Sequence, residues 1–223
     1  GEYTATGGHF RVNTPDEVSV QTAIHTRKGV ERILRYGFDL ARQRRHRLTM
    51  ATKSNALNYS MVMWDRVLAA VAPDYPDVVS EKVHVDALAM HFVRTPERFD
   101  VVVASNLFGD ILSDLAGALV GSLGLAASAN INPERIYPSL FEPVHGSAPD
   151  IAGKGIANPM AAVRSAGLML NFLGEGEAGA ILENAVADVV REGRVLTPDL
   201  GGRASTGDVG DAVAARVAVT QPS

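Results

Sequence analysis

Asp110 and Asp114 stand at i, i+4 within SNLFGDILSDLAG, residues 105–117. The apolar positions around them (Leu107, Phe108, Ile111, Leu112, Leu115, Leu119) recur at helical spacing, and the preceding FDVVVAS reads as a buried strand. Like charges at that spacing share a helix face, at a cost of roughly 0.2–0.5 kcal/mol on an exposed helix. The cost is larger where solvent is excluded. Lys53 in ATKSN and Asp86 in VHVDALAM also follow expected strands, at the rim of an open α/β sheet where ligands bind. Three carboxylates are hard oxygen ligands, suited to Mg²⁺ or Mn²⁺ and not to zinc or copper. Each aspartate alone reads equally well as a helix cap or a solvated side chain.

HGSAPDIAGKG, residues 145–155, looks like a phosphate or nucleotide loop but fits no general fingerprint. GxGxxG is absent, and the Walker pattern fails for want of glycine at Ala148 and of Ser or Thr at Gly155. On spacing alone it is a turn-rich loop. His145 reads as a base, a stacking platform or a structural histidine; no Ser or Cys nucleophile stands in evident partnership with it, which argues against a catalytic triad. Tyr3 carries no meaning by itself.

The elements that must hold these residues alternate along the chain. Residues 18–24 alternate as a strand, 28–45 form an amphipathic helix, and 48–52 a short strand leading into Lys53. A helix over 57–71 stops at Pro73 and Pro76, and a strand over 78–86 carries Asp86 at its end. Helix to about residue 93, a strand over 99–104 and the Asp110/Asp114 helix follow. After Gly124 small residues and turn signals prevail, until Asn158 and Pro159 open a helix running to Phe172 and closed by Gly174 and Gly176. Helices over 178–192 and 206–219 flank the loop TPDLGGRAST. This alternation predicts an α/β fold with much parallel or mixed sheet, and a domain change near residues 120–130.

The chain has 223 residues, 46% hydrophobic and 21% charged, with a formal charge of -4. That balance argues against general nucleic-acid affinity, and the basic block RQRRHR at 42–47 reads as a solvated helix end suited to the helix dipole. With no cysteine, disulfides, thiolate metal sites and a cysteine nucleophile are excluded. No stretch has membrane-spanning length and none reads as a signal peptide, so a cytoplasmic location is expected. The start at Gly1, Glu2, Tyr3, without methionine, reads as cut from something longer.

ATKSN, VHVDALAMHFV, SNLFGDILSDLAG, FEPVHGSAPDIAGKGIANP and the TPDLGG loop together resemble the metal-dependent β-decarboxylating dehydrogenases, the isocitrate/isopropylmalate dehydrogenase family. The similarity covers nearly the whole chain. SANINPERIYPSLFEPVHGSAPDI, TRKGVERILRYGFDLA and PERFDVVVASNLFGDILSDL look most like its tartrate/D-malate branch. The resemblance implies an isopropylmalate dehydrogenase-like two-domain fold lacking the N-terminal part of the cofactor domain. Residues 1–122 would be the substrate, metal and dimerisation domain, and 123–223 the C-terminal half of the NAD-binding domain.

The same resemblance implies NAD and Mg²⁺ or Mn²⁺ as cofactors and a 2-hydroxy dicarboxylate, D-malate or tartrate, as substrate. Asp110 and Asp114 of one subunit, with Asp86 of its partner, would hold the cation in a homodimer with shared active sites. Lys53 and Asp86 would remove the hydroxyl proton, and Tyr3 would protonate the enol. Asn55, Glu142, His145, Gly146, Ser147, Ala148, Asp150 and Asn158 would bind the cofactor. Asp150 would favour NAD, because a carboxylate accepts ribose hydroxyls and repels the 2′-phosphate of NADP. Relative to the family's full-length pattern, the substrate-gripping arginines and first cofactor-domain strands are missing, which places Tyr3 beside the cut and implies open sheet edges. Three alternatives stand beside this reading: 3-isopropylmalate as substrate, a catalytically silent fragment that dimerises, and an aspartate-rich diphosphate enzyme using the DxxxD pair, which leaves HGSAPD unexplained.

Overall fold

Arg47–Thr52 (β3) is the centre of the molecule's parallel sheet: β3 pairs with Val79–His84 (β4) on one side and Val101–Val103 (β5) on the other, both parallel. A computed structural model of the chain describes residues 1–220. They form two compact units, one over Gly1–Ala116 and one from Gly117 onward.

In the first unit, period-two alternation sends Leu48 and Met50 of β3 to one face, where they pack with Leu34 and Phe38 of Arg27–Arg42 (α1) and Met61, Trp64 and Val67 of Ser60–Val71 (α2). Ala51 faces the other way, against Leu88 of Val85–Arg94 (α3), Phe99 and Leu112 of Asn106–Leu119 (α4). Burial on both faces is what a parallel sheet requires of its central strand. Gly37 lets α1 approach closely, since a Cβ there would stand 2.5 Å from Val103 Cγ2. Thr6–Phe10 (β1) and Val18–Thr22 (β2) form a separate antiparallel pair in register Phe10↔Val18 and Gly8↔Val20. β1 was not legible in TGGHF, whose glycines mask any alternation.

The second unit holds an antiparallel pair, Ala127–Asn130 (β6) with Leu140–Pro143 (β7), in a stretch the sequence marks only as small residues and turns. Its helices are Met160–Leu173 (α5), Gly176–Glu192 (α6) and Thr206–Thr220 (α7), with Met160, Val186, Val189, Val209 and Val213 forming the core. Asn158 Oδ1 accepts the Met160 amide at 3.0 Å, so its side chain caps α5 as the sequence suggests, and Gly174 closes that helix in the left-handed region.

Two local expectations need correction. The strand ends at His84, and Asp86 lies in the first turn of α3. The RQRRHR block is not a free solvated end: Arg42 forks onto Asp77, while the Arg44 side chain and the Arg45 amide both donate to Asp100. No helix among the described residues is long and apolar enough to cross a membrane.

Candidate active site

The turn after β3 sets Lys53. Its carbonyl accepts the amides of Ala56 at 3.0 Å and Leu57 at 2.8 Å, and its side chain reaches α3, where Nζ lies 2.7 Å from Asp86 Oδ1. That hydrogen bond, first among the causes, holds the Asp86 carboxyl below its ordinary range, so Asp86 is ionised at neutral pH. Asn55 is exposed in the same turn.

A second group gathers at the start of α4. Tyr3, which carries no meaning in the sequence by itself, donates to Asp110 Oδ2 at 3.4 Å. Partial desolvation, then the neighbouring Asp110 carboxylate, push the phenol above its ordinary value. Tyr3 therefore keeps its proton at neutral pH and is a donor. Beside it Ser105 donates to Glu2 Oε1 at 2.6 Å; burial raises the Glu2 carboxyl, but this hydrogen bond and backbone donors outweigh it and hold it low. Asp110 and Asp114 are both exposed, as is Ile111 between them at 57%. The helix thus turns its aspartates outward and buries Leu112. Among the described residues no three acidic or histidine side chains of the chain gather to hold a metal ion.

In the second unit a cavity of about 720 Å³ is lined by His145, Gly146, Ser147, Ala148, Asn158 and Asp199, among others. Ala148 has φ +43°, and Gly153 and Gly155 have φ +76° and +65°, so left-handed turns curl the loop around the hollow. His145 Nδ1 lies 3.1 Å from the Gly146 carbonyl, an acceptor that this nitrogen meets as a donor. Asn158 is 8% exposed, and its amide donates to Asp199 Oδ2 at 3.0 Å. The Ser122 hydroxyl donates to the same oxygen at 2.5 Å. Burial raises the Asp199 carboxyl, yet these donors outweigh it and keep it below its ordinary range. Thr206 fastens the loop to α7 by donating its amide to Gly155 and its hydroxyl to Ala157.

The structure therefore brings five of the residues expected to bind a cofactor, His145 to Ala148 and Asn158, to one cavity. Glu142 on β7 and Asp150 in the loop are exposed and outside its lining. Asp199 was missed; only its place inside the TPDLGG loop could have marked it. The cavity falls in the size range of small-molecule and cofactor sites.

Comparison with known proteins gives these arrangements a lineage. The chain is 55% identical over 221 residues to the tartrate dehydrogenase/decarboxylase of Pseudomonas putida, covering 96% of this chain and 60% of that protein. It is 53% identical over 220 residues to the D-malate dehydrogenase (decarboxylating) of Escherichia coli K12, covering 96% and 60%. The chain thus spans about 60% of the length of these curated relatives. Its fold matches the crystal structure of isocitrate dehydrogenase from Methylococcus capsulatus with a TM-score of 0.88 at 43% identity, over 97% of this chain and 64% of that one. The isocitrate/isopropylmalate dehydrogenase model matches residues 1–213, and the chain, carrying Lys53 against Asp86 and the curled loop before α5, belongs to that family of oxidoreductases.

Proposed function

We propose that the protein is an NAD-dependent, Mg²⁺- or Mn²⁺-dependent dehydrogenase that oxidises and β-decarboxylates a 2-hydroxy dicarboxylate, D-malate or tartrate, in the cytoplasm. The observation that carries the chemistry is the 2.7 Å pair of Lys53 with Asp86, an ionised carboxylate beside an amine at the rim of a parallel sheet. The substrate class rests on identity to relatives named for tartrate and D-malate. Members of the family are generally dependent on NAD and a divalent metal, act on small hydroxy acids and are commonly dimeric.

The donor set fits both groups. Asp110 and Asp114, one turn apart and exposed, offer hard oxygens to a divalent cation, and Asp86 of a second copy would complete them. The cavity before α5 has the size and the mostly apolar lining with a few polar groups that a cofactor site needs, and Asp150, in the same loop outside that lining, would favour NAD over NADP. When bound, NAD supplies the hydride acceptor for C2 and the cation a Lewis acid for the substrate's 2-oxygen and adjoining carboxylate.

The chain's own residues move the protons. Asp86, kept ionised by Lys53, would accept the proton of the 2-hydroxyl as C2 is oxidised, leaving a neutral carboxyl beside the Lys53 amine. Loss of the β-carboxylate as CO₂ leaves an enolate, whose carbon would take a proton from the Tyr3 phenol to give the ketone. Asn55 would lie near the nicotinamide, and Glu142, His145 to Ala148, Asp150 and Asn158 would seat the rest of the cofactor. The test is NADH formation with Mn²⁺ and each of D-malate, tartrate and 3-isopropylmalate, using the full-length gene product. Turnover of D-malate or tartrate that disappears in Lys53→Ala and Asp86→Asn is expected; turnover of 3-isopropylmalate alone would refute the substrate assignment.

A further inference from the structure

Asp65, on the buried side of α2, holds the residue that precedes Lys53. The Thr52 hydroxyl donates to Asp65 Oδ1 at 2.7 Å, and Lys82 of β4 pairs with Oδ2; Ser54, on the other side of Lys53, also helps to hold the Asp65 carboxyl below its ordinary range. Thr52 is completely buried and the Asp65 side chain is only 13% exposed, so these bonds are made largely out of water. Alternation along β3 sets the direction. Leu48, Met50 and Thr52 face α2, and Lys53, next in line, leaves on the opposite side, toward Asp86 on α3. The Lys53 carbonyl is bound twice by the turn that follows. With the backbone fixed on both sides, only the lysine stem remains free.

We propose that Asp65 is a positioning residue for Lys53: its carboxylate holds the Thr52 hydroxyl at the end of β3 and so aims the Lys53 amine at Asp86. This rests on the reading of Lys53 as part of the proton-removing pair. It goes beyond that reading in assigning a function to an acid that touches neither substrate nor cofactor. A carboxylate suits the task because it accepts several donors at once, and its ion pair with Lys82 offsets the cost of holding a charge in a largely buried place.

The test reads the placement of Lys53 directly. Trace acetylation of the purified full-length protein at one fixed pH, without NAD or metal, gives the labelling rate of Lys53 by peptide mass spectrometry, with Lys28 and Lys154 as internal references. In the double variant Thr52→Val/Ser54→Ala, which keeps Asp65 and its pair with Lys82, Lys53 labelling should rise at least about threefold relative to the references as its bond to Asp86 loosens. Asp65→Ala should give the same rise. A role in stability alone would lower the melting temperature and leave the native-state rate of Lys53 unchanged. A wild-type Lys53 rate in either variant that retains its fold by circular dichroism overturns the proposal. Labelling needs no turnover, so failure of the dehydrogenase reading appears separately, as absence of NADH formation.

Discussion

At the scale of single residues, two carboxylates can be tested without ambiguity. Asp199 takes Ser122 and Asn158 on one oxygen, and Asn158 in turn caps α5. Asp199→Ala leaves these donors without their acceptor, a loss of about 1–3 kcal/mol measurable by urea titration at pH 7. The pH dependence has a definite sign. The folded carboxyl titrates below its ordinary value, so the unfolded chain binds more protons in the interval between the two, and stability rises with pH there. The gap between wild type and Asp199→Ala should thus be full above about pH 4 and shrink as pH falls further. Asp150 gives the second test: Asp150→Arg should raise the NADP-to-NAD ratio of kcat/KM, and an unchanged ratio removes this residue from the ribose site. The two differ in legibility. Asp150 sits in a phrase specific enough to be matched, whereas Asp199 and Asp65 act through bonds to Asn158 and Thr52 that are distant in the chain and leave no local pattern.

At the scale of elements, helices and the parallel strands were readable because each carries its own period, while the β6–β7 pair was not. Neither ASAN nor LFEP alternates strongly, and their pairing depends on contact across an intervening loop. The periodicity of α4 marks a helix, as the structure has it, and leaves its burial open. Leu107, Ile111 and Leu119 match the apolar spacing yet are exposed, because a sequence period reports which face is apolar and not what covers it. Packing distance was equally invisible: nothing around Gly37 reveals that α1 approaches Val103 so closely. Gly37→Ala sets two effects against each other. Helix propensity gains about 1 kcal/mol, and the new Cβ overpacks the helix–sheet contact at a cost of roughly 1–3 kcal/mol. The branched side chain of Val103 has little room to yield, so the net change should be a lower melting temperature. A rise would show that α1 can shift outward freely.

At the scale of the whole molecule, the exposed apolar side chains and the divided carboxylates point the same way. Phe10, Val18 and Val20 lie on one face of the β1–β2 pair, and a two-stranded pair with an uncovered apolar face is marginal on its own. Ile111 stands exposed between Asp110 and Asp114, and Met90 and Val93 are exposed on α3, the helix of Asp86. A second copy covering these faces would bring its Asp86 to Asp110 and Asp114 and turn a like-charge pair into a cation site. Mn²⁺ should then raise the melting temperature in proportion to the logarithm of its concentration once the site is saturated, and a chelator should reverse the rise. Asp110→Asn should abolish the Mn²⁺ effect while remaining a dimer by sizing chromatography, because it removes a ligand and leaves the apolar faces intact. Ile111→Lys should do the reverse in order, giving monomers first and losing the Mn²⁺ effect as a consequence. A monomeric protein that keeps the full Mn²⁺ shift would place the cation within one chain and refute the shared site. Since each variant would fail at a different step, the two measurements test separately whether the α4 face dimerises and whether it binds the cation.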